Sequence, residues 1–195
     1  MLSINQPERL RFILLEHCDV TADLVASLVK LPAFDSLESS SFTLGALPLL
    51  TQLHSLTYLC IKMKNGTSDD IFTSASCLLP HLKGCPLLAK LYMLCFSFTE
   101  LELKTLPQVV PSLSKFVLCS SKFTSLVALC EVPKLKVLHI TDCLDFGLAD
   151  LAPLSNIQFL EELNVDLPHH EHDAARALLF SNTFSRLLKF KIGGL

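Results

Sequence analysis

The stretch Leu135-Lys136-Val137-Leu138-His139-Ile140-Thr141-Asp142-Cys143 carries the pattern that decides the fold. Its apolar residues follow the spacing apolar-x-x-apolar-x-apolar, with Leu135, Leu138 and Ile140 at the three apolar positions. Side chains alternate along an extended chain, so Leu138 and Ile140 point to one side and Val137 and His139 to the other. The stretch therefore predicts a short strand that is buried on one side.

The same pattern recurs along the whole chain. Leu10, Ile13, Leu15 and Cys18 match it position for position. Looser copies begin at Phe34, Leu56, Leu88, Leu113, Leu160 and Leu187, so that the eight copies follow one another at similar intervals. A period of roughly 20–29 residues with this spacing is typical of leucine-rich repeats. The sequence predicts an α/β leucine-rich repeat solenoid of about eight repeats, with residues 1–195 forming a single domain.

Each repeat is predicted to open with a strand and to return through a longer segment. Strands that lie one repeat apart are too distant for hairpins, so we expect a parallel sheet with the returns packed on one of its faces. The sheet would line the concave side, and short helices and turns the convex side. The repeats reach close to both ends of the sequence without polar caps, which predicts uncapped ends that allow self-association.

Three return segments contain helix signals. Thr21 to Leu31 and Asp70 to Leu79 are predicted to be helices, with Thr21 or Ser68 as their N-terminal caps, and Ala174 to Phe180 is a third candidate. The polar stretch Lys64 to Asp70, within the longest repeat, is predicted to be a surface loop.

A phenylalanine begins four of the return segments at a shared position in the repeat. This register predicts a ladder of stacked rings inside the convex side. Its members are Phe42, Phe98, Phe123 and Phe146.

The stretch from Leu148 to Val165, LADLAPLSNIQFLEELNV, resembles the short repeats of internalins and of related phosphatase-regulatory subunits. In those families the return is built from short turns or 3₁₀ helix. The resemblance is to a class of repeat and supports the same solenoid fold. The chain differs from that class in its longer returns.

Composition argues against several classes of function. The net charge of −3 and the pI near 6.1 disfavour a nucleic-acid binder, which needs a basic face for phosphates. No apolar run reaches the roughly 18 residues that span a bilayer, and no secretory signal opens the sequence. The eight cysteines are not clustered, and Cys18 and Cys143 fall at a position that turns inward in such repeats. We therefore expect reduced thiols in a cytoplasmic protein.

Two groups of residues could carry chemistry. The segment His169-His170-Glu171-His172-Asp173 has the side chains that bind zinc, although a solvated loop leading into a helix explains it better. Cys119 and His139 are predicted on neighbouring strands, and such a pair can activate a thiolate. An open sheet offers no water-excluded cleft, and the chain contains no phosphate loop. We therefore expect no catalysis, cofactor or metal ion.

The outward residues of the strands are the predicted binding surface. Both tyrosines of the chain fall there, a basic zone lies near the middle, and an acidic zone follows two repeats later. The candidate partner-binding residues are Tyr58, Lys62, Lys90, Tyr92, Lys115, His139, Glu162 and Asp166. The order of charge would orient a partner in one direction.

The sequence therefore favours a module that binds another protein on the concave face. One alternative is a scaffold or substrate-receptor segment of a larger complex, such as a ubiquitin ligase adaptor. A second is a metal- or thiol-dependent hydrolase.

Overall fold

The computed structural model describes residues 7–64, 71–143, 145–181 and 184–194. The strands are β1 Phe12–Leu15, β2 Ser36–Phe42, β3 Tyr58–Met63, β4 Thr73–Ser74, β5 Lys90–Leu94, β6 Phe96–Phe98, β7 Lys115–Cys119, β8 Lys122–Phe123, β9 Val137–Thr141, β10 Glu162–Leu167 and β11 Lys189–Gly194. The helices are α1 Ala22–Leu28, α2 Leu79–Leu82, α3 Glu100–Val109, α4 Leu148–Leu154 and α5 His172–Phe180. Segments of 3₁₀ helix cover Pro7–Arg9, Leu44–Gln52, Ala75–Cys77, Val127–Glu131 and His169–Glu171.

Eight of these strands form one large parallel sheet. Its order is β1-β2-β3-β5-β7-β9-β10-β11, and each of its strands coincides with one copy of the apolar pattern. The short strands β4, β6 and β8 form a second parallel sheet. The prediction of an α/β protein with a large parallel sheet and short helices is confirmed. We call one strand of the large sheet and the segment that follows it a unit.

One central side chain of each inner strand points into the core. These residues lie opposite one another in the register of the sheet, and all are fully buried: Leu37, Leu59, Leu91, Phe116, Leu138 and Leu163. Leucines of the returns, such as Leu47, Leu106 and Leu151, belong to the same apolar cluster. Burying a side chain of this size stabilises the fold by roughly 1.5–3 kcal/mol. The repeated leucines are therefore the core that joins the sheet to the returns.

Carboxylates of one unit cap helical segments of the unit before it. Glu171 Oε2 accepts a hydrogen bond from the Leu148 N–H at the start of α4, at 2.8 Å. Glu102 Oε1 accepts one from the Ser76 N–H in the 3₁₀ segment before α2, at 2.7 Å. The first N–H groups of a helix have no partner within the helix, so these carboxylates satisfy them and link adjacent units.

Two of the three predicted helices are confirmed. Helix α1 begins where expected, and the Thr21 side chain accepts a hydrogen bond from the Leu24 N–H at 3.4 Å. It ends at Leu28, before the predicted boundary at Leu31. Helix α5 covers Ala174 to Phe180 and starts two residues earlier.

The predicted helix from Asp70 to Leu79 is wrong over its described part. Thr73 and Ser74 form strand β4, which pairs with β6, and a 3₁₀ turn follows before α2 begins at Leu79. Pairing with β6 gives these residues hydrogen bonds that compete with the local preference for helix. The proposed cap Ser68 lies outside the described residues, as does the predicted loop after Lys64.

The four phenylalanines of the predicted ladder line the returns. Phe42, Phe98 and Phe146 are buried, whereas Phe123 is partly exposed. Phe98 and Phe123 are paired in the small sheet, and the rings of Phe123 and Phe146 have centroids 6.0 Å apart. The interplanar angle of that pair is 69°, so the rings meet edge to face and are not stacked.

Four units turn sharply at the same position. The residues with left-handed backbone are His17, Cys95, Ser120 and Asp142, with φ of 57°, 60°, 48° and 54°. Each stands five positions after the first residue of its strand, in β1, β5, β7 and β9. Non-glycine residues rarely adopt this conformation, so its recurrence shows that these units leave the sheet in the same way.

The two cysteines that follow such turns behave differently. Cys143 is 1% exposed, and its Sγ accepts a hydrogen bond from the Ser121 N–H at 3.4 Å. Cys18 is exposed, so its predicted inward position is wrong. Strand β1, which precedes Cys18, lies at the edge of the large sheet and pairs with β2 only. Strand β9, which precedes Cys143, lies between β7 and β10, so within the described residues Cys143 has a neighbouring unit on both sides and Cys18 on one.

Candidate functional site

The outer face of the large sheet consists of the side chains that alternate with the core residues. In the register of the sheet, its first row is Phe12, Ser36, Tyr58, Lys90, Lys115, Val137, Glu162 and Lys189. Its second row is Leu14, Glu38, Cys60, Tyr92, Val117, His139, Asn164 and Lys191. Lys62 and Asp166 lie one row further on. All eight candidate binding residues therefore lie on one surface.

An aromatic patch occupies the first strands of this face. The ring centroids of Tyr58 and Tyr92 are 5.2 Å apart at an interplanar angle of 58°, and those of Phe12 and Tyr58 are 6.5 Å apart. Phe12 and Leu14 are 49% and 47% exposed. We define the aromatic patch as Phe12, Leu14, Tyr58 and Tyr92. The sequence analysis selects only the two tyrosines as binding residues. Phe12 and Leu14 could also have been selected, because two apolar residues at outward positions of one strand indicate an exposed apolar surface.

A hydrogen bond fixes the ring of Tyr58 within the patch. The Tyr58 hydroxyl donates to Glu38 Oε2 at 2.7 Å. Burial, and then this hydrogen bond, raise the pKa of Tyr58, so the phenol stays neutral. Two hollows border Glu38, one of about 340 Å³ lined by Phe12, Tyr58 and Lys90, and one of about 170 Å³ lined by Leu14 and other residues. The face therefore offers recesses beside exposed apolar side chains.

A basic zone follows the aromatic patch. Lys90 and Lys115 lie directly opposite each other on β5 and β7, and we call them the lysine pair. The Lys115 ammonium lies 5.4 Å from the centroid of the Tyr92 ring, within the range of a cation–π contact. Among the residues that the structure describes, no carboxylate lies within 4.0 Å of either ammonium or of Lys62. The zone therefore carries positive charge that the described residues do not neutralise.

The expected acidic zone is partly neutralised. Lys189 Nζ donates to Glu162 Oε1 at 2.9 Å, and His139 Nε2 lies 3.0 Å from the same oxygen. The hydrogen bond from Lys189 lowers the pKa of Glu162, whereas burial lowers the pKa of His139. Glu162 is therefore an ionised group that already has two partners on this face. Asp166 Oδ2 accepts from the Asp142 N–H at 3.0 Å.

The thiol and imidazole considered for catalysis do not form a pair. Val117 lies opposite His139, whereas Cys119 lies opposite Thr141 in the next row. Cys119 Sγ is 3.8 Å from Asp142 Oδ2, and His139 is bonded to Glu162. Burial raises the pKa of the other outward thiol, Cys60, to about 12, which keeps it protonated at neutral pH. Among the described residues, neither outward thiol is therefore hydrogen-bonded to an imidazole.

The histidine segment has structural contacts. The rings of His169 and His172 are 5.0 Å apart, and His172 Nε2 lies 3.0 Å from the Leu167 carbonyl oxygen. Glu171 is used to cap α4. Across the described ranges, no group of three His, Cys, Asp or Glu side chains has a geometry that could hold a metal ion.

Comparisons with known proteins do not indicate a function for this chain. No protein-family model matches the chain, and no curated protein matches it significantly. Over the described residues, none of the helices has the length and apolar character needed to cross a membrane.

Proposed function

We propose that the chain is a leucine-rich repeat solenoid that binds another protein on the outer face of its large sheet and is not an enzyme. The outer face would then be the concave side. The eight parallel strands, their regular recurrence along the chain and the repeated left-handed turns support the repeat assignment. Repeat proteins of this kind present extended sheets as binding surfaces.

The observation that carries the binding proposal is the aromatic patch. Phe12 and Leu14 are about half exposed beside two tyrosine rings, on a sheet face whose later strands carry polar and charged side chains. Contiguous exposed apolar side chains with a polar surround are typical of interaction sites, and tyrosine is enriched at their energetic centres. The patch is therefore the proposed anchor.

The surroundings of the patch fit a binding role better than a hydrolase. A scaffold or substrate-receptor segment of a larger complex would use the same surface. A hydrolase would need a nucleophile bonded to its activating base, and among the described residues neither Cys60 nor Cys119 is hydrogen-bonded to His139. Eight free thiols suit the reducing environment of the cytoplasm, where we place the protein.

Quantitative affinity capture tests this proposal. The immobilised full chain is compared with a Tyr58→Ala, Tyr92→Ala variant in an extract of the cells that produce it, and captured proteins are measured by mass spectrometry. The matched control, Leu44→Ala with Leu101→Ala, removes apolar side chains that are 65% and 73% exposed on the returns. We expect a partner whose affinity falls by about 30-fold, or on the order of 2 kcal/mol, with the tyrosine variant and is unchanged with the control.

A second variant separates binding from folding, because Tyr58 is partly buried. Phe12→Ser with Leu14→Ser changes only well-exposed side chains of the patch and should weaken the same partner. Circular dichroism and thermal unfolding report whether each variant is folded. Equal recovery of every captured protein by the wild type and by both folded patch variants would refute the assignment of the outer face.

A further inference from the structure

The lysine pair is an arrangement that the fold alone does not explain. Like charges directly opposite each other on adjacent strands destabilise a sheet, yet Lys90 and Lys115 occupy such positions without a nearby carboxylate among the described residues. Some other lysines are paired, such as Lys136 with Glu161 at 2.8 Å and Lys189 with Glu162 at 2.9 Å. What distinguishes Lys90 and Lys115 is that two such unpaired lysines lie directly opposite each other on one face of the sheet. The two ammonium groups are therefore placed where one anionic group from outside the chain could contact both.

The neighbours of the lysine pair indicate what else the ligand contains. Lys115 lies over the Tyr92 ring, and Lys90 lines the hollow of about 340 Å³ that also contacts Phe12 and Tyr58. A ligand that reaches both lysines thus lies beside the aromatic patch. Apolar side chains fit this patch. The phosphates of a nucleic acid recur at every nucleotide and would also meet the carboxylates of Glu16 and Glu38, whereas a peptide can carry its negative charge at the lysine pair alone.

We infer that the partner contacts the outer face through an extended acidic peptide segment, with an apolar side chain on the aromatic patch and carboxylates on the lysine pair. This inference rests on the proposed function. The anion is a cluster of Asp or Glu side chains, and the occupant is a segment of the partner protein.

The sheet also sets the spacing between the two parts of that segment. Strands β1 and β5 are three steps apart in the large sheet, which is roughly 14 Å at about 4.8 Å a step. An extended peptide advances by about 3.3 Å a residue, so an apolar residue and an acidic pair about four residues apart span this distance. The segment crosses the strands, with its apolar end at β1 and its acidic end between β5 and β7.

Fluorescence anisotropy with synthetic peptides tests the inference on the full chain. The probes are fluorescein-labelled Gly-Ser peptides with one Leu and one Asp-Glu pair, in which the pair begins two, four or six positions after the Leu. In matched probes Asn-Gln replaces Asp-Glu. We expect the acidic probe with the four-residue spacing to bind at least ten-fold more tightly than its amide counterpart. This preference should diminish as the salt concentration rises.

Charge reversal identifies the residues that cause the preference. Lys90→Glu with Lys115→Glu should abolish binding of the acidic probe and create binding of a probe that carries Lys-Arg in place of Asp-Glu. The control, Lys83→Glu with Lys134→Glu, makes the same change in net charge at exposed lysines away from this face and should behave like the wild type. Because the control variant has the same net charge, a gain of binding to the Lys-Arg probe in the Lys90→Glu, Lys115→Glu variant alone comes from the position of the reversed charges.

The outcomes separate this inference from the proposal on which it rests. Equal affinity for acidic and amide probes, no binding of any probe, or the same loss in the control variant would overturn the acidic-segment inference. A partner that is captured through the tyrosines but is insensitive to the lysine reversal would also overturn it, and would leave the protein-binding function intact. If the wild type and the Tyr58→Ala, Tyr92→Ala variant captured every protein equally well, the proposed function itself would be refuted.

Discussion

The carboxylate of Glu102 is expected to stabilise two adjacent units at once. Its Oε2 accepts a hydrogen bond from the Thr99 N–H at 2.6 Å, and the Glu102 N–H donates to Thr99 Oγ1 at 3.2 Å, which together form the capping box of α3. The Thr99 hydroxyl also donates to Oε2 at 2.9 Å. Its Oε1 accepts from the Ser76 N–H at 2.7 Å and from the Ser74 hydroxyl at 3.0 Å, in the preceding unit. Glu102→Ala removes the hydrogen bonds of both oxygens, whereas Glu102→Gln retains only one oxygen that can accept.

The size of the effect follows from these contacts. Loss of the Glu102 half of the capping box leaves the Thr99 N–H without its carboxylate and costs about 1 kcal/mol, whereas Thr99 still caps the N–H of residue 102. Leaving the Ser76 N–H without its carboxylate partner costs about 1 kcal/mol more. We therefore expect Glu102→Ala to lower the free energy of unfolding by about 2 kcal/mol, and Glu102→Gln by about half as much. The control Glu100→Ala breaks the exposed ion pair with Lys104, which solvent screens, and should change the free energy of unfolding much less.

The same contribution should depend on pH. Burial alone would raise the pKa of Glu102, but hydrogen bonds from Thr99, Ser74 and Ser76 outweigh it and the pKa is lowered. A carboxyl pKa that is lower in the folded state stabilises the fold fully above its unfolded value, near 4.3, and this stabilisation is lost as the pH falls through the folded value. The difference between the wild type and Glu102→Gln should therefore be greatest near neutral pH and should shrink below about pH 4.

Urea unfolding followed by circular dichroism at several pH values measures these differences. A loss for Glu102→Ala no larger than that for Glu100→Ala would show that the carboxylate does not link the two units. A difference between the wild type and Glu102→Gln that stayed constant from neutral to acidic pH would contradict the explanation from ionisation.

Two further predictions concern packing and exposure. In Gly84→Ala the new Cβ would lie 2.2 Å from the Thr51 carbonyl oxygen, so we expect the free energy of unfolding, measured by thermal unfolding, to fall by roughly 1–3 kcal/mol. In the control Gly45→Ala the new Cβ would meet nothing within 4 Å, so stability should change little. If both alanine variants melt alike, the close approach of Gly84 to Thr51 is not as described. Iodoacetamide at neutral pH should modify the exposed Cys18 well before Cys60, whose pKa is raised to about 12 mainly by burial, as followed by peptide mass spectrometry. Similar rates at the two thiols would show that the outer face opens readily around Cys60.

The sequence predicts the large sheet well because one spacing rule governs every unit. The apolar positions of each copy face the core, and period two then assigns Tyr58, Lys90 and Lys115 to the outer face. Adjacent copies also place Tyr58 and Tyr92 on neighbouring strands, but the distance of 5.2 Å between their ring centroids is known only from the structure. The bond from Tyr58 to Glu38 does not follow, because it depends on side-chain rotamers across two strands.

The return segments are less predictable because their structure depends on neighbouring units. Helix α3 is absent from the sequence predictions, although Thr99 and Glu102 have the spacing of a capping box. Pro107, in the last turn of α3, disfavours a helix when the sequence is considered alone, and the resemblance to short repeats favours turns in this segment. The pairing of β4 with β6 overrides a local helix signal that sequence reasoning places at Asp70 to Leu79.

For the charged residues of the outer face, the sequence likewise predicts the positions but not the contacts. The spacing of the copies brings Lys90 and Lys115 together, which the structure confirms. It also places Glu162 on the outer face, but only the structure shows that Lys189 and His139 share its Oε1. The partners of a long side chain depend on rotamers that sequence spacing does not determine.

The order of the strands in the large sheet has a consequence for how the protein is made. The chain visits the strands in their spatial order, so each new strand adds to an edge and none is inserted between two earlier ones. Every pair of neighbouring strands is separated by a single return, which keeps each pairing within a short stretch of chain. During synthesis the sheet can therefore grow at one edge as the polypeptide leaves the ribosome, without waiting for the C-terminal residues. Gain or loss of one whole unit during evolution would lengthen or shorten the sheet without changing how the remaining strands pair.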